Sequence, residues 1–317
     1  MRTRSGVLAV GLPLAGVLLA TACSSSPSSA AASGGNSAAA ASTSKIVAIG
    51  AENEYADVIG QVGGKYVQAS AIMSNPNTDP HTFEASPAVA RNLSNAKLIV
   101  QNGVGYDDWA TTIENAAPSD GRQVINVQQL LHRPDNTPNP HLWYDPKTMP
   151  AVANAVAADL GQIDPAHAAY YKANAATFTK SLSAWTGAIA AFKSAHPNTP
   201  VAVTEPVADY MLQAAGTDDL TPWAFQADNM NGTDPSPQDV AAEKALFTEH
   251  KVKVFLYNQQ VTDSLTDSFI SLAQASHIPV VGVYETMPTG YDYQSWMLAE
   301  VTALEKAVTS QVSTQHL

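Results

Sequence analysis

The sequence predicts an α/β protein of two lobes, each a parallel-rich sheet flanked by helices, joined by one long helix. Three observations predict it. Short β-rich runs alternate with helical patterns in the first and last thirds of the chain, a strand-free stretch separates them, and residues 45–317 suffice for two ordinary domains.

In the first part the strand candidates are 45–51 (KIVAIGA), 66–73 (YVQASAIM), 98–103 (LIVQNG) and 123–127 (QVINV), with helical stretches between them. In the last part they are 201–205, 252–258 and 278–285, with helices near 207–216, 236–250, 264–276 and 295–311. The helix after Ser236 carries start signals: a serine cap, Pro237 at the first helical position and Asp239 three residues past the cap. Between the two parts, 147–195 is rich in alanine. Tyr171, Phe178, Leu182, Trp185, Ile189 and Phe192 recur there at spacings of three, four and seven, which predicts a long amphipathic helix from about Asp164 to just before His196 and Pro197.

The amino terminus sets the compartment. Arg2 and Arg4 precede an apolar run from Val7 to Ala22, and the small-residue stretch LATAC ends at Cys23. This reads as a secretory signal, too short and wrongly flanked for a membrane span. Cys23 is the only cysteine, so neither an internal disulfide nor a thiolate cluster can form; a lipid-modified first residue explains it best. Ala20 stands where bacterial lipoproteins more often carry leucine, and an ordinary signal peptide ending near a cysteine is the alternative. Residues 24–44, nearly all Ser, Ala and Gly, read as a flexible tether. The expected organisation is a signal peptide (1–22), an anchored tether (23–44), a first lobe (45–163), an interlobe helix (164–195) and a second lobe (196–317).

The 317 residues hold 16 Lys plus Arg against 28 Asp plus Glu. Removing residues 1–22 takes away two arginines and no acids, leaving a net charge of about −14. Nucleic acid is an unsuitable partner for such a surface. A cationic ligand is compatible with it.

Four polar residues stand at the carboxyl ends of strands or just after them, where open α/β sheets place ligands: His81, His141, Glu205 and Glu285. Two imidazoles and two carboxylates are the chemistry of a divalent cation, and a ligand held by all four would sit in the cleft between the lobes. Each alone has a plainer reading. A histidine beside proline is commonly a turn residue, Glu205 could cap the helix after Pro206, and Glu285 could be a solvated loop acid. Asp145, four residues after His141, either orients that ring or caps locally. Glu52 and Glu54 fall in or before a first helical turn, where acids are favoured. The remaining histidines are scattered, and no HExxH, P-loop, GxSxG or GxGxxG sequence appears.

DPHTFE (79–84), NGVGYDDW (102–109) and NPHLWYDP (139–146), in that order, resemble the metal-binding, helix-linked class of ABC transporter solute-binding proteins, the manganese, zinc and iron receptors of bacteria. The resemblance runs from about Lys45 to Val308. It implies metal ligation by His81 and His141 from the first lobe, Glu205 at a position that is His or Glu in the family, and Glu285 where Asp is common. It implies a rigid interlobe helix with modest lobe closure. A histidine-rich acidic loop, found in many zinc receptors of the class, is essentially absent at 132–140 (HRPDNTPNP).

The expected function is therefore that of an extracytoplasmic receptor, lipid-anchored through Cys23, monomeric and not an enzyme. It would take one divalent ion as cargo, manganese ahead of zinc, and hand it to an ABC permease. Glutamates that bind through both oxygens suit manganese, although intrinsic affinity rises toward zinc along the divalent series. The alternative is a secreted metal-dependent hydrolase, with Glu84 as the acid to test as its base.

Overall fold

A computed structural model describes residues 44–77, 80 and 83–317. His81 lies outside the described residues, as do the predicted signal peptide, Cys23 and nearly all of the tether.

The first sheet contains β1 (Ile46–Glu52), β2 (Val67–Met73), β3 (Leu98–Gln101) and β4 (Gln123–Asn126), all parallel, in the order β2-β1-β3-β4. Around them lie α1 (Asn53–Gly63), α2 (Pro87–Asn95), α3 (Asp108–Ala116) and the single turn α4 (Val127–Leu130). After α5 (Thr148–Ile163), α6 (Ala168–Ser181) and α7 (Ser183–Ala195), the second sheet repeats the same order. Its strands are β5 (Pro200–Val203), β6 (Asp218–Asp219), β7 (Val254–Asn258) and β8 (Val280–Val283), parallel in the order β6-β5-β7-β8. Helices α8 (Asp209–Ala214), α9 (Trp223–Met230), α10 (Pro237–Thr248), α11 (Ser264–Ala275) and α12 (Tyr293–Ser310) complete it.

Strands β3, β7 and β8 are buried along their whole length, because helices cover both faces of a parallel sheet and no polar alternation is needed. Helix α10 starts as its residues dictate. Ser236 Oγ accepts the Asp239 amide, and Pro237 takes the position whose missing N–H costs nothing. The sequence reading began its long helix near Asp164 and so assigned no helix to α5, and two smaller elements also escaped it. β6 is a two-residue acidic edge strand, too short to show a period, and α9 follows it directly.

The predicted interlobe helix is helical but consists of two segments meeting at Leu182. Ser181 Oγ donates to the Phe178 carbonyl, which the Leu182 amide would otherwise use, and that amide turns to Thr179 instead. This competition between a serine side chain and the backbone explains the tightened turn. The buried stripe Tyr171, Ala175, Phe178, Leu182, Trp185, Ile189 and Phe192 nevertheless continues through it. Helix α6 packs against α1 and α5, and α7 against α12 and α8, so the tightened turn falls where the segment passes from one lobe to the other.

The main core spans both lobes. Tyr293 donates to the Trp143 carbonyl (2.6 Å) and Tyr144 to the Tyr284 carbonyl (2.8 Å), while the Trp185 ring meets Tyr293 edge-on. A separate aromatic cluster of Phe225, Phe247, Phe255 and Phe269 lies in the second lobe.

Candidate metal centre

In a sheet ordered second-first-third-fourth, the chain leaves the first and third strands in opposite directions, and the crevice between their carboxyl ends receives ligands. In the second sheet that crevice lies between β5 and β7. Glu205 stands two residues past β5, Asn258 is the last residue of β7, and Glu285 stands two residues past β8. All three are buried. The Asn258 side-chain amide donates to Glu205 Oε2 (3.1 Å) and to Glu285 Oε1 (2.6 Å). Its own oxygen accepts the Gln260 amide (2.9 Å), which fixes which end of the side chain faces the carboxylates. Gln260 Oε1 accepts the amides of Glu285 and Thr286, each at 2.7 Å, and so anchors the loop that carries Glu285.

His141 comes from the first lobe. It precedes a 3-10 turn, Leu142–Tyr144, and is fully buried. Its Nδ1 lies 2.8 Å from Asn139 Oδ1, and its backbone amide donates to the same oxygen. Asn139 Nδ2 donates to the Pro206 carbonyl, so the amide orientation is set from both ends. Asn139 therefore places the ring hydrogen on Nδ1 and leaves Nε2 as the nitrogen that can ligate a metal. That Nε2 is 3.2 Å from Glu285 Oε2. Of the two roles the sequence left open for Asp145, the structure favours the local one: its Oδ1 accepts the Lys147 amide (3.0 Å) and its Oδ2 pairs with Arg133 at 2.7 Å, because the 3-10 turn carries it away from the imidazole.

The loop after β3 reaches across the lobes. Tyr106 donates to Glu285 Oε2 at 2.8 Å, and its ring and that of Trp143 flank His141 edge-on. Asp107 ties the loop down by accepting the amides of Asn102 (2.6 Å) and Gly103 (2.8 Å). Burial pushes its carboxyl up to about 7, against the downward pull of those two amides. Gly103, Val104 and Gly105 all have positive φ, and a Cβ on Gly103 would come within 2.8 Å of Asn126 Oδ1. Glycine there is a packing requirement as well as a conformational one.

Glu52 and Glu54 take the helix-start positions expected of them, but not as solvated acids. Both are buried, and neither carboxyl has a hydrogen-bond partner among the described residues. Burial raises both well above the ordinary range; repulsion from Asp107 adds to Glu52, and repulsion from Glu285 and Asp107 to Glu54. Burial thus disfavours the ionised form that a helix-start acid would otherwise take. The clue in the sequence was the adjacent run IVAIGA, which makes β1 a buried central strand.

The structure thus joins His141 to Glu285 directly and Glu205 to Glu285 through Asn258. Among the described residues no group of three or more His, Cys, Asp or Glu side chains is arranged to hold a metal. The loop residues flanking His81 lie near this region: Pro80 and Phe83 border a cavity of about 220 Å³ that Thr286, next to Glu285, also lines. A larger cavity of about 710 Å³, lined by Arg133, Asn139, Asp209, Tyr210 and Trp223 among others, has none of His141, Glu205 and Glu285 among its described lining residues. Glu84, the acid considered as a hydrolytic base, is exposed to solvent. The donor set of one oriented imidazole and two carboxylates nonetheless fits a divalent transition metal.

Comparison with known proteins identifies the family. The manganese ABC transporter substrate-binding lipoprotein PsaA of Streptococcus pneumoniae is 26% identical over 155 residues, 44% of this chain and 49% of that protein. The manganese-binding lipoprotein MntA of Halalkalibacterium halodurans is 27% identical over 128 residues, 40% and 42% of the two chains. The chain spans about half the length of the curated relatives it matches. The structure of the SBP FpvC from Pseudomonas aeruginosa in complex with Mn2+ superimposes with a TM-score of 0.68 at 20% identity, covering 84% of this chain and 99% of that one, a likeness of fold. Residues 51–307 match the family described as ZnuA, zinc-uptake complex component A, periplasmic, and the chain belongs to that family.

Proposed function

We propose that the protein is the extracytoplasmic receptor of an ABC importer, which binds one divalent transition-metal ion through His81, His141, Glu205 and Glu285 and delivers it to a membrane permease. The observation that carries this reading is the contact between His141 Nε2 and Glu285 Oε2, at 3.2 Å, across the two lobes. A buried imidazole and a buried carboxylate from separate lobes, with a second carboxylate tied in by Asn258, make a place where a cation can replace its hydration shell. The work is capture and release; no reaction is catalysed.

The names of the relatives support lipid anchoring at Cys23, and residues 45–163 and 196–317 are taken as the two lobes on either side of 164–195. The protein acts as a monomer, with the permease and the membrane as its partners. Manganese is the favoured cargo and zinc the alternative, on the missing histidine-rich loop. Elemental analysis of protein purified from its own host tests the reading together with calorimetric titration of His141→Ala and Glu285→Ala. One equivalent of manganese or zinc in the parent, with binding sharply weakened in both variants, is the expected result. Undiminished binding in both variants would move the site elsewhere.

A further inference from the structure

The residue that sequence reasoning passed over in this site is Asn258. Its oxygen accepts the Gln260 amide and its nitrogen faces the carboxylates, so it is not placed as a ligand, yet it is fully buried at the crevice of the second sheet and touches two of the four proposed ligands. Its amide nitrogen has two hydrogens, and both are spent on carboxylates: one on Glu205 Oε2 and the shorter one, 2.6 Å, on Glu285 Oε1. The side chain is itself held in place. Its oxygen holds the Gln260 amide, and its backbone amide donates to Thr204 Oγ1 at 2.9 Å, one residue before Glu205. A single rigid group therefore sets the orientation of both acids.

Resting on the metal-receptor reading above, we infer that Asn258 is a positioning residue that sets metal preference, by restricting Glu205 and Glu285 to one coordinating oxygen each. An ion chelated by a carboxylate draws on the electron density of both its oxygens, and an amide hydrogen already bound to one of them competes for it. With Glu205 Oε2 and Glu285 Oε1 engaged by Asn258, an ion bound through the other oxygen receives one bond per glutamate, and at Glu285 Oε2 it takes the place of the Tyr106 hydroxyl. Two imidazoles and two single-atom carboxylates make four ligands, the number zinc accepts and fewer than manganese prefers. Asn258 thus strengthens zinc relative to manganese in the isolated protein, in the same direction as the intrinsic order of the divalent series. Manganese as cargo then rests on its availability outside the cell rather than on selection by the site.

The test compares the zinc-to-manganese affinity ratio, measured by competition against a chelating dye, in the parent, Asn258→Ala and His141→Ala, with Co2+ absorption as the readout of coordination number. The parent is expected to give the intense visible band of four-coordinate cobalt. Asn258→Ala should weaken that band and lower the ratio by about 10-fold or more, the scale on which groups behind metal ligands act. Asn258→Ser, which keeps a single donor, should fall between them and serves if the alanine variant folds poorly. An unchanged ratio in the Asn258 variants, or six-coordinate cobalt in the parent, would overturn the inference while lost binding in His141→Ala upheld the site. Binding untouched by His141→Ala would overturn the site and this inference together.

Discussion

Asn139 Oδ1 sits 2.8 Å from His141 Nδ1 while Asn139 Nδ2 holds the Pro206 carbonyl at 2.6 Å, so one amide both orients an imidazole of the first lobe and fastens it to the second. The two roles are separable by substitution. Asn139→Asp keeps the acceptor for Nδ1 and loses the donor to Pro206; Asn139→Ala loses both. Metal affinity should survive in the aspartate variant and fall about 10- to 100-fold in the alanine variant, as read by calorimetric titration. Equal losses in the two would show that the lobe contact, not ring orientation, matters.

Tyr106 joins the lobes through Glu285 Oε2, a buried hydrogen bond to a carboxylate. Tyr106→Phe should lower the metal-free protein's stability by about 1.5–3 kcal/mol in urea denaturation. A cation at the site would take over the charge that the hydroxyl now satisfies, so the deficit should shrink at saturating metal. A deficit that grew on metal addition would refute this account.

Trp185 lies in the stripe that α7 buries, 1% exposed, with its ring against Tyr293. Trp185→Ala should cost about 3–5 kcal/mol, because a large cavity opens between the connecting segment and the second lobe. Thermal or chemical denaturation reads it directly, and a loss below about 1 kcal/mol would mean that the neighbouring side chains collapse into the space.

Glu243, on α10 away from the metal centre, is pushed up to about 8, chiefly by burial and further by repulsion from Asp219, although the Thr221 hydroxyl bonds to it. Because its pKa in the folded protein exceeds that in the unfolded chain, its contribution is fully present below the ordinary carboxylate pKa of 4.5 and is lost as pH rises through about 8. Glu300 and Asp209 are likewise pushed up to about 8, so stability should decline across that window. Glu243→Gln, which keeps an acceptor for Thr221 and cannot ionise, should flatten the decline without abolishing it. Identical pH profiles for variant and parent would show that Glu243 ionises freely in the folded state.

By itself the sequence determined the alternation of strands and helices, the cap at Ser236 and the amphipathic run from Tyr171 to Phe192, since each depends on a period or a turn chemistry confined to neighbouring residues. It also placed Glu205 and Glu285 just past strand ends. Only the tertiary structure decided which polar groups meet. Asp145 and Asn139 lie within four residues of His141; the 3-10 turn carries Asp145 away to Arg133, whereas Asn139, ahead of that turn, reaches the ring. Asn258 looks like any strand-end amide until β7 is set beside β5. Glu52 and Glu54 have the spacing of ordinary helix-start acids, and the upward shift of both carboxyls follows from burial that no local pattern records. Local periodicity specifies elements because it acts through the backbone, whereas the charge state and partners of a buried side chain depend on groups brought there from distant segments.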